Sequence, residues 1–200
     1  MSSARLRIYL TGVGGQGSLT ATSLLSRAIL DQGIAVVSGE IHGMAQRGGV
    51  VESTILMGGW QSPGICPGEA DIILGFEPLE TLRGLPYLAP GGTVLSASEF
   101  IPPPGVSMGL ETLPALDDIK ARVSAVAGKY WFLPTQELGL AAGALQSANT
   151  ALLGALCATG LLPFGADALK QAVKKYLPPK VADSNLRAVD LGVAALRQSG

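Results

Sequence analysis

"LRIYLTGVGGQGSLTATSLLSRAILDQG", Leu6 to Gly33, is the stretch whose reading decides the fold. Leu6 to Gly12 is apolar, rich in β-formers and closed by glycine, which predicts a buried strand. Leu19, Leu24, Leu25, Ala28 and Ile29 then recur at helical spacing, and Gly33 stops the helix. Between them lies Gly12-Val13-Gly14-Gly15-Gln16-Gly17, a GxGxxG run. Strand, GxGxxG and helix in that order are the context a dinucleotide fingerprint requires. Glycines let the backbone turn tightly and approach a pyrophosphate, and the helix N-terminus offers free N–H groups and a positive dipole end. Ser18, or those N–H groups, would meet a phosphate. Glu40, at the end of the next strand, stands where a ribose-binding acid would. The alternative is that the glycines only let the helix pack closely on the strand.

Outward from that unit, strands and helices alternate. "IAVVSGE" and "VVESTILMGG" read as strands, the second with Val51, Ser53, Ile55 and Met57 on one face. "ADIILGFE" is a continuous apolar run, as expected of a parallel strand covered on both sides. Pro78 opens a short helix, "TVLSAS" is a strand, "IPPPG" a turn or brief polyproline segment, "LPALDDIKARVSAVAG" an amphipathic helix and "KYWFLP" a short strand. From Thr135 onward all reads helical, with Asp183 or Ser184 as cap of the last helix. The expected architecture is α/β: one domain over residues 1–200, a Rossmann-like, open, mostly parallel sheet with helices on both faces and a helical C-terminal third.

Composition narrows function. The 200 residues are 48% hydrophobic and only 14% charged, with net charge −1. An average domain carries about 25% charged residues, so part of the surface is expected to be covered by a partner. Net charge gives no case for nucleic acid or an anionic membrane. The glycines after the first apolar stretch leave no signal-peptide core, so a cytoplasmic location is expected. Leu138 to Ala166 contains no charged residue and is long enough to span a bilayer. Its middle, "QSANT", is polar and glycines interrupt it, which argues for a buried or partner-covered helix pair instead. Cys66 and Cys157 are the only cysteines and His42 the only histidine. Neither a cysteine-ligated iron–sulfur cluster nor a multi-histidine metal site can be assembled from them.

A second glycine-rich run, "EIHGMAQRGG" from Glu40 to Gly49, contains that histidine. Gly43, Gly48 and Gly49 imply a sharply turning or closely approached backbone. Met44 suits an adaptable contact, and Arg47 can hold a phosphate or carboxylate with two donors. Ligand or interface use of His42, Gly43, Met44, Ala45, Gln46, Arg47, Gly48 and Gly49 stands beside a structural-loop reading. There is no GDG thiamine-binding pattern, no P-loop and no GxSxG nucleophile elbow.

"GVGGQG" leading into a helix, and "GEIHGMAQRGG" leading into a strand, resemble the gamma-type domain of the 2-oxoacid:acceptor oxidoreductases, most closely the small (beta) subunit of the indolepyruvate-type enzymes. "ADIILGFEPLETLR" (Ala70–Arg83) and "NTALLGAL" (Asn149–Leu156) are similar to further family segments, and the likeness spans nearly the whole chain. The resemblance implies the small subunit of an indolepyruvate or other aryl-pyruvate:ferredoxin oxidoreductase, inactive alone. Thiamine diphosphate, magnesium and iron–sulfur clusters would lie on a large partner subunit, with none on this chain, and coenzyme A would be co-substrate. Ferredoxin would be reached through the holoenzyme, a homo- or hetero-oligomer. Gly12, Gly14, Gly15, Gln16 and Gly17 would form the first family loop and the residues of the second run the other, facing coenzyme A or the partner's active site. No catalytic residue is assigned to this chain. The rivals are a freestanding NAD(P)-dependent oxidoreductase, for which no hydride-transfer set is visible, and a nucleotide-binding regulatory module.

Overall fold

The structure is a computed structural model that describes residues 5–42 and 49–199. Among these residues six strands form one sheet: β1 (Leu6–Val13), β2 (Val36–His42), β3 (Val50–Met57), β4 (Ala70–Gly75), β5 (Leu88–Ala97) and β6 (Lys129–Leu133). Their order is β2-β3-β1-β4-β5-β6. β4 lies parallel to β1, β5 to β4 and β6 to β5, whereas β3 runs antiparallel to both neighbours. The expected open, mostly parallel sheet is present. β5 begins at Leu88, earlier than the expected Thr93, because Ala70 pairs with Leu88 across a register shift.

Among the described residues eight helices flank or extend the sheet: α1 (Ser18–Asp31), α2 (Pro78–Gly84), the single turn α3 (Pro104–Ser107), α4 (Leu116–Ser124), α5 (Thr135–Ala141), α6 (Ala148–Ala158), α7 (Ala166–Tyr176) and α8 (Pro179–Gln198). Strand alternation divides the core. Ile8 and Leu10 of β1 join a cluster with residues of α1, α6, α7 and α8. Tyr9, between them, packs on the opposite face with Ile119 and Val123 of α4. Helices thus cover both faces.

One expectation changes and one open alternative is decided. The last helix starts at Pro179, not at Asp183 or Ser184. Proline suits a first helical turn because its missing N–H has no partner there. Ser184 lies inside the helix, where its hydroxyl donates to the Val181 carbonyl and accepts from Ser147. The uncharged stretch is consumed internally. Asn149 to Cys157 of α6 is buried throughout, wedged between the sheet, α7 and α8. Gly192 of α8 permits this, since a Cβ there would overlap the Ala151 carbonyl oxygen. In that stretch only Leu140 and Leu145 are large exposed apolar side chains. Among the described residues no helix is long and apolar enough to cross a membrane.

Candidate ligand crevice at the carboxyl ends of the strands

The first glycine run bridges the end of β1 and the start of α1. Gly15 and Gly17 take the left-handed backbone that favours glycine, at φ 91° and 82°. Gly12 packs instead: a Cβ on it would lie 3.2 Å from Phe76 Cβ. Gln16 staples the turn. Its Oε1 accepts from the Val13 N–H at 3.1 Å, its Nε2 donates to the Phe76 carbonyl at the end of β4, and its own carbonyl accepts from Asn149 Nδ2 at 2.9 Å. The loop is therefore tied to β4 and to α6.

The two glycine runs meet. The Gly14 N–H donates to the Gly49 carbonyl at 2.7 Å. His42 ends β2, with its backbone opposite Val51. Gly43, Met44, Ala45, Gln46, Arg47 and Gly48 lie outside the described residues.

Internal bonds take the N–H groups of Val13, Gly14 and Gln16. The first intrahelical bond is Ala21 N–H to Gly17 O, and among the described residues no side chain caps the N–H groups of the first turn of α1. Ser18 is buried, only 4% exposed, and lines neither of the cavities beside the loop. Exposed Thr20, two residues on, lines one of them.

Carboxylates of the chain satisfy the N-termini of α2 and α5. Glu77 accepts from the Glu80 N–H at 2.8 Å on α2. Glu99 accepts from the Thr135 N–H, the Thr135 hydroxyl and the Gln136 N–H on α5. Burial drives the Glu77 carboxyl above its ordinary range, against hydrogen bonds from backbone N–H groups. Burial likewise pushes Glu80 up to about 7, opposed by Arg83 and reinforced by Glu77.

Two cavities open beside the loop. One, of about 270 Å³, runs toward α5 between Gly15, Gln16, Ile101, Thr135, Gln136, Leu145, Gln146, Ala148 and Asn149. The other, of about 330 Å³, runs along α1 toward Pro178, Val181 and Asn185. They share Gly15, Gln16, Gln146 and Asn149. In open α/β sheets ligands bind in such a crevice, outside the carboxyl ends of parallel strands. Gln146 and Asn149 are members that the sequence reading did not single out as site residues.

The dinucleotide arrangement fails on strand order. β3 separates β2 from β1, and with strands about 4.8 Å apart Glu40 stands one strand too far from the loop. Exposed Glu40 instead borders a cavity of about 390 Å³ beside Ser23, Arg27 and Tyr176, which shares Thr20, Leu24 and Leu177 with the second cavity.

A family model described as pyruvate ferredoxin/flavodoxin oxidoreductase matches residues 7–195. The chain belongs to that family. It is 43% identical over 193 residues to the indolepyruvate oxidoreductase subunit IorB of Pyrococcus horikoshii, covering 96% of each. To the subunit of the same name from Methanothermobacter thermautotrophicus it is 38% identical over 192 residues, covering 96% of this chain and 98% of the relative. The fold is that of the gamma subunit of keto/oxoacid ferredoxin oxidoreductase from Geobacter sulfurreducens (TM-score 0.70, 22% identity, 96% of this chain and 99% of that one). It also matches part of the 2-oxoglutarate:ferredoxin oxidoreductase of Magnetococcus marinus, whose structure holds 2-oxoglutarate, coenzyme A and succinyl-CoA (TM-score 0.71, 17% identity, 97% of this chain and 31% of that one).

Proposed function

We propose that this chain is the small subunit of a 2-oxoacid:ferredoxin oxidoreductase that acts on indolepyruvate or another aryl pyruvate. The observation that carries the reading is the 43% identity to an indolepyruvate oxidoreductase subunit over 96% of both chains. The holoenzyme converts the oxoacid and coenzyme A to an aryl-acetyl-CoA and carbon dioxide, with ferredoxin taking the electrons. Thiamine diphosphate with magnesium, and iron–sulfur clusters, supply the carbanion chemistry and electron relay from the large partner subunit. With two cysteines, Cys66 exposed and Cys157 buried, this chain does not have the thiolates a cluster needs.

This chain's share is binding and shaping. The N–H groups at the start of α1 offer an anion site for a phosphate of the coenzyme. Gln16 and Asn149 hold that loop in place. His42, Met44, Gln46 and Arg47, on the second run, face the coenzyme or the partner's active site, and the protein works in the cytoplasm as part of an oligomer. The experiment is to purify the chain alone and together with the large subunit, then record visible spectra and indolepyruvate-dependent dye reduction. Activity and brown colour are expected only with the partner. A stoichiometric cluster on this chain alone, or oxoacid oxidation by it alone, overturns the reading.

A further inference from the structure

A pocket of about 230 Å³ lies on the face of the sheet that Tyr9 occupies. Tyr9 pairs with Thr54, and Gly39 and Ile41 of β2 pair with Thr54 and Glu52, so all five lie on one side. The segment after β3 forms one wall. The Pro63 carbonyl accepts from the Thr54 hydroxyl at 2.7 Å, and a Cβ on Gly39 would lie 2.8 Å from Pro63 Cβ. Tyr87 forms another, stacked on Tyr9 with ring centroids 4.5 Å apart. Tyr9 is only 3% exposed, yet its hydroxyl has no hydrogen-bond partner. Burial, and then the Glu52 carboxylate, push that hydroxyl above its ordinary range, which sets it beside Glu52 without a direct hydrogen bond closing between them. Half-buried Glu52 meets more acid on its other side, since its charge adds to the burial that lifts Glu80 to about 7. Arg83 takes Glu80 Oε1 and leaves Oε2 buried without a partner. A buried hydroxyl left unpaired beside a carboxylate that faces like charge calls for a positively charged donor.

Size and surroundings say what kind of donor. Pockets for whole ligands run from about 300 to 1,000 Å³, and this one is smaller, with room for one side chain. Ile41, on the same side of the sheet and lining the pocket, is 68% exposed. An exposed aliphatic residue beside a tyrosine-lined pocket is the anatomy of a protein interface, where a side chain anchored in a desolvated pocket carries much of the binding. We propose that this pocket receives one arginine or lysine side chain of the large partner subunit, held by the Glu52 carboxylate and the Tyr9 hydroxyl against the Tyr87 ring. The inference rests on the subunit reading above and adds a docking point on the Tyr9 face of the sheet.

The test compares the parent chain with Glu52→Gln and Tyr9→Phe, each measured free and titrated with labelled large subunit. Both variants should raise the Kd of the complex, Glu52→Gln by about tenfold or more, as loss of a charge-assisted contact requires. The parent complex should weaken more steeply with salt than the Glu52→Gln complex. In the free chain both variants should leave the thermal midpoint unchanged or raised, because each removes a group that the fold leaves unserved. A lower free-chain midpoint for Glu52→Gln means that the chain neutralises this carboxylate itself, and overturns the inference. Unchanged affinity of Glu52→Gln for the large subunit overturns it too and leaves the subunit reading standing. So does a dimer of the free chain that Glu52→Gln breaks, which assigns the pocket to a second copy. If the parent chain forms no complex with the large subunit, both readings fall.

Discussion

Replacing Gln16 by alanine tests whether the first glycine loop is held by a side chain or merely permitted by its glycines. The substitution removes the acceptor for the Val13 N–H and the donor to the Phe76 carbonyl. It leaves the Asn149 bond intact, because that bond is to the Gln16 backbone carbonyl. Each lost bond is worth about 0.5–1.5 kcal/mol net. Both are partly buried, and the cavities on either side admit water, so the larger penalty for a sealed orphan does not apply. The expected cost is about 2 kcal/mol, which for a domain of this size lowers Tm by roughly 4–8 °C. Gln16→Met keeps the length of the side chain without its hydrogen bonds and should cost nearly as much. Urea denaturation of the purified chain measures the cost, and exchange of the Val13 amide locates it. If both variants stay within about 0.5 kcal/mol of the parent, the side chain does not hold the loop.

Gly192→Ala should destabilise by about 1–3 kcal/mol through overpacking of α8 on α6, since its Cβ would meet the Ala151 carbonyl; a thermal midpoint equal to that of the parent would contradict the close crossing. Stability should fall as pH rises from about 4.5 to about 7 and then level off. Glu80 ordinarily titrates at 4.5 but holds its proton to about 7 when folded, so over that window the folded state binds more protons than the unfolded one. Glu77 shifts in the same direction, and Glu80→Gln should flatten much of the slope in denaturation curves collected across that range. Folded chain should react with a thiol reagent at exposed Cys66 only. Cys157 is buried and pushed up to about 12, so it should react once denaturant is added; two thiols titrating at equal rates in the native protein would refute its burial.

Local patterns were legible in the sequence because their causes are local. The apolar run of β1, the glycines after it and the helical spacing of α1 lie within one contiguous stretch, and each follows from neighbours along the chain. The alternation of Val51, Ser53, Ile55 and Met57 placed one face of β3 in the core, where all four lie buried. The cap at Asp183 or Ser184 was misread because the polar residues before Leu186 resemble a cap. The decisive signal is Pro179, whose fixed φ starts the helix earlier. Strand direction and neighbourhood are different in kind. The antiparallel insertion of β3 between β2 and β1 depends on pairing between β1 and β3, which α1 and β2 separate along the chain, and it removes Glu40 from the dinucleotide geometry. Composition alone left open whether the uncharged stretch was covered by this chain or by a partner. Burial is a relation to other elements, and α6 lies under the chain's own α7 and α8. The Gln16–Asn149 bond joins residues 133 positions apart. Only the closing of the sheet and the docking of α6 against it bring these two together, and with them the crevice.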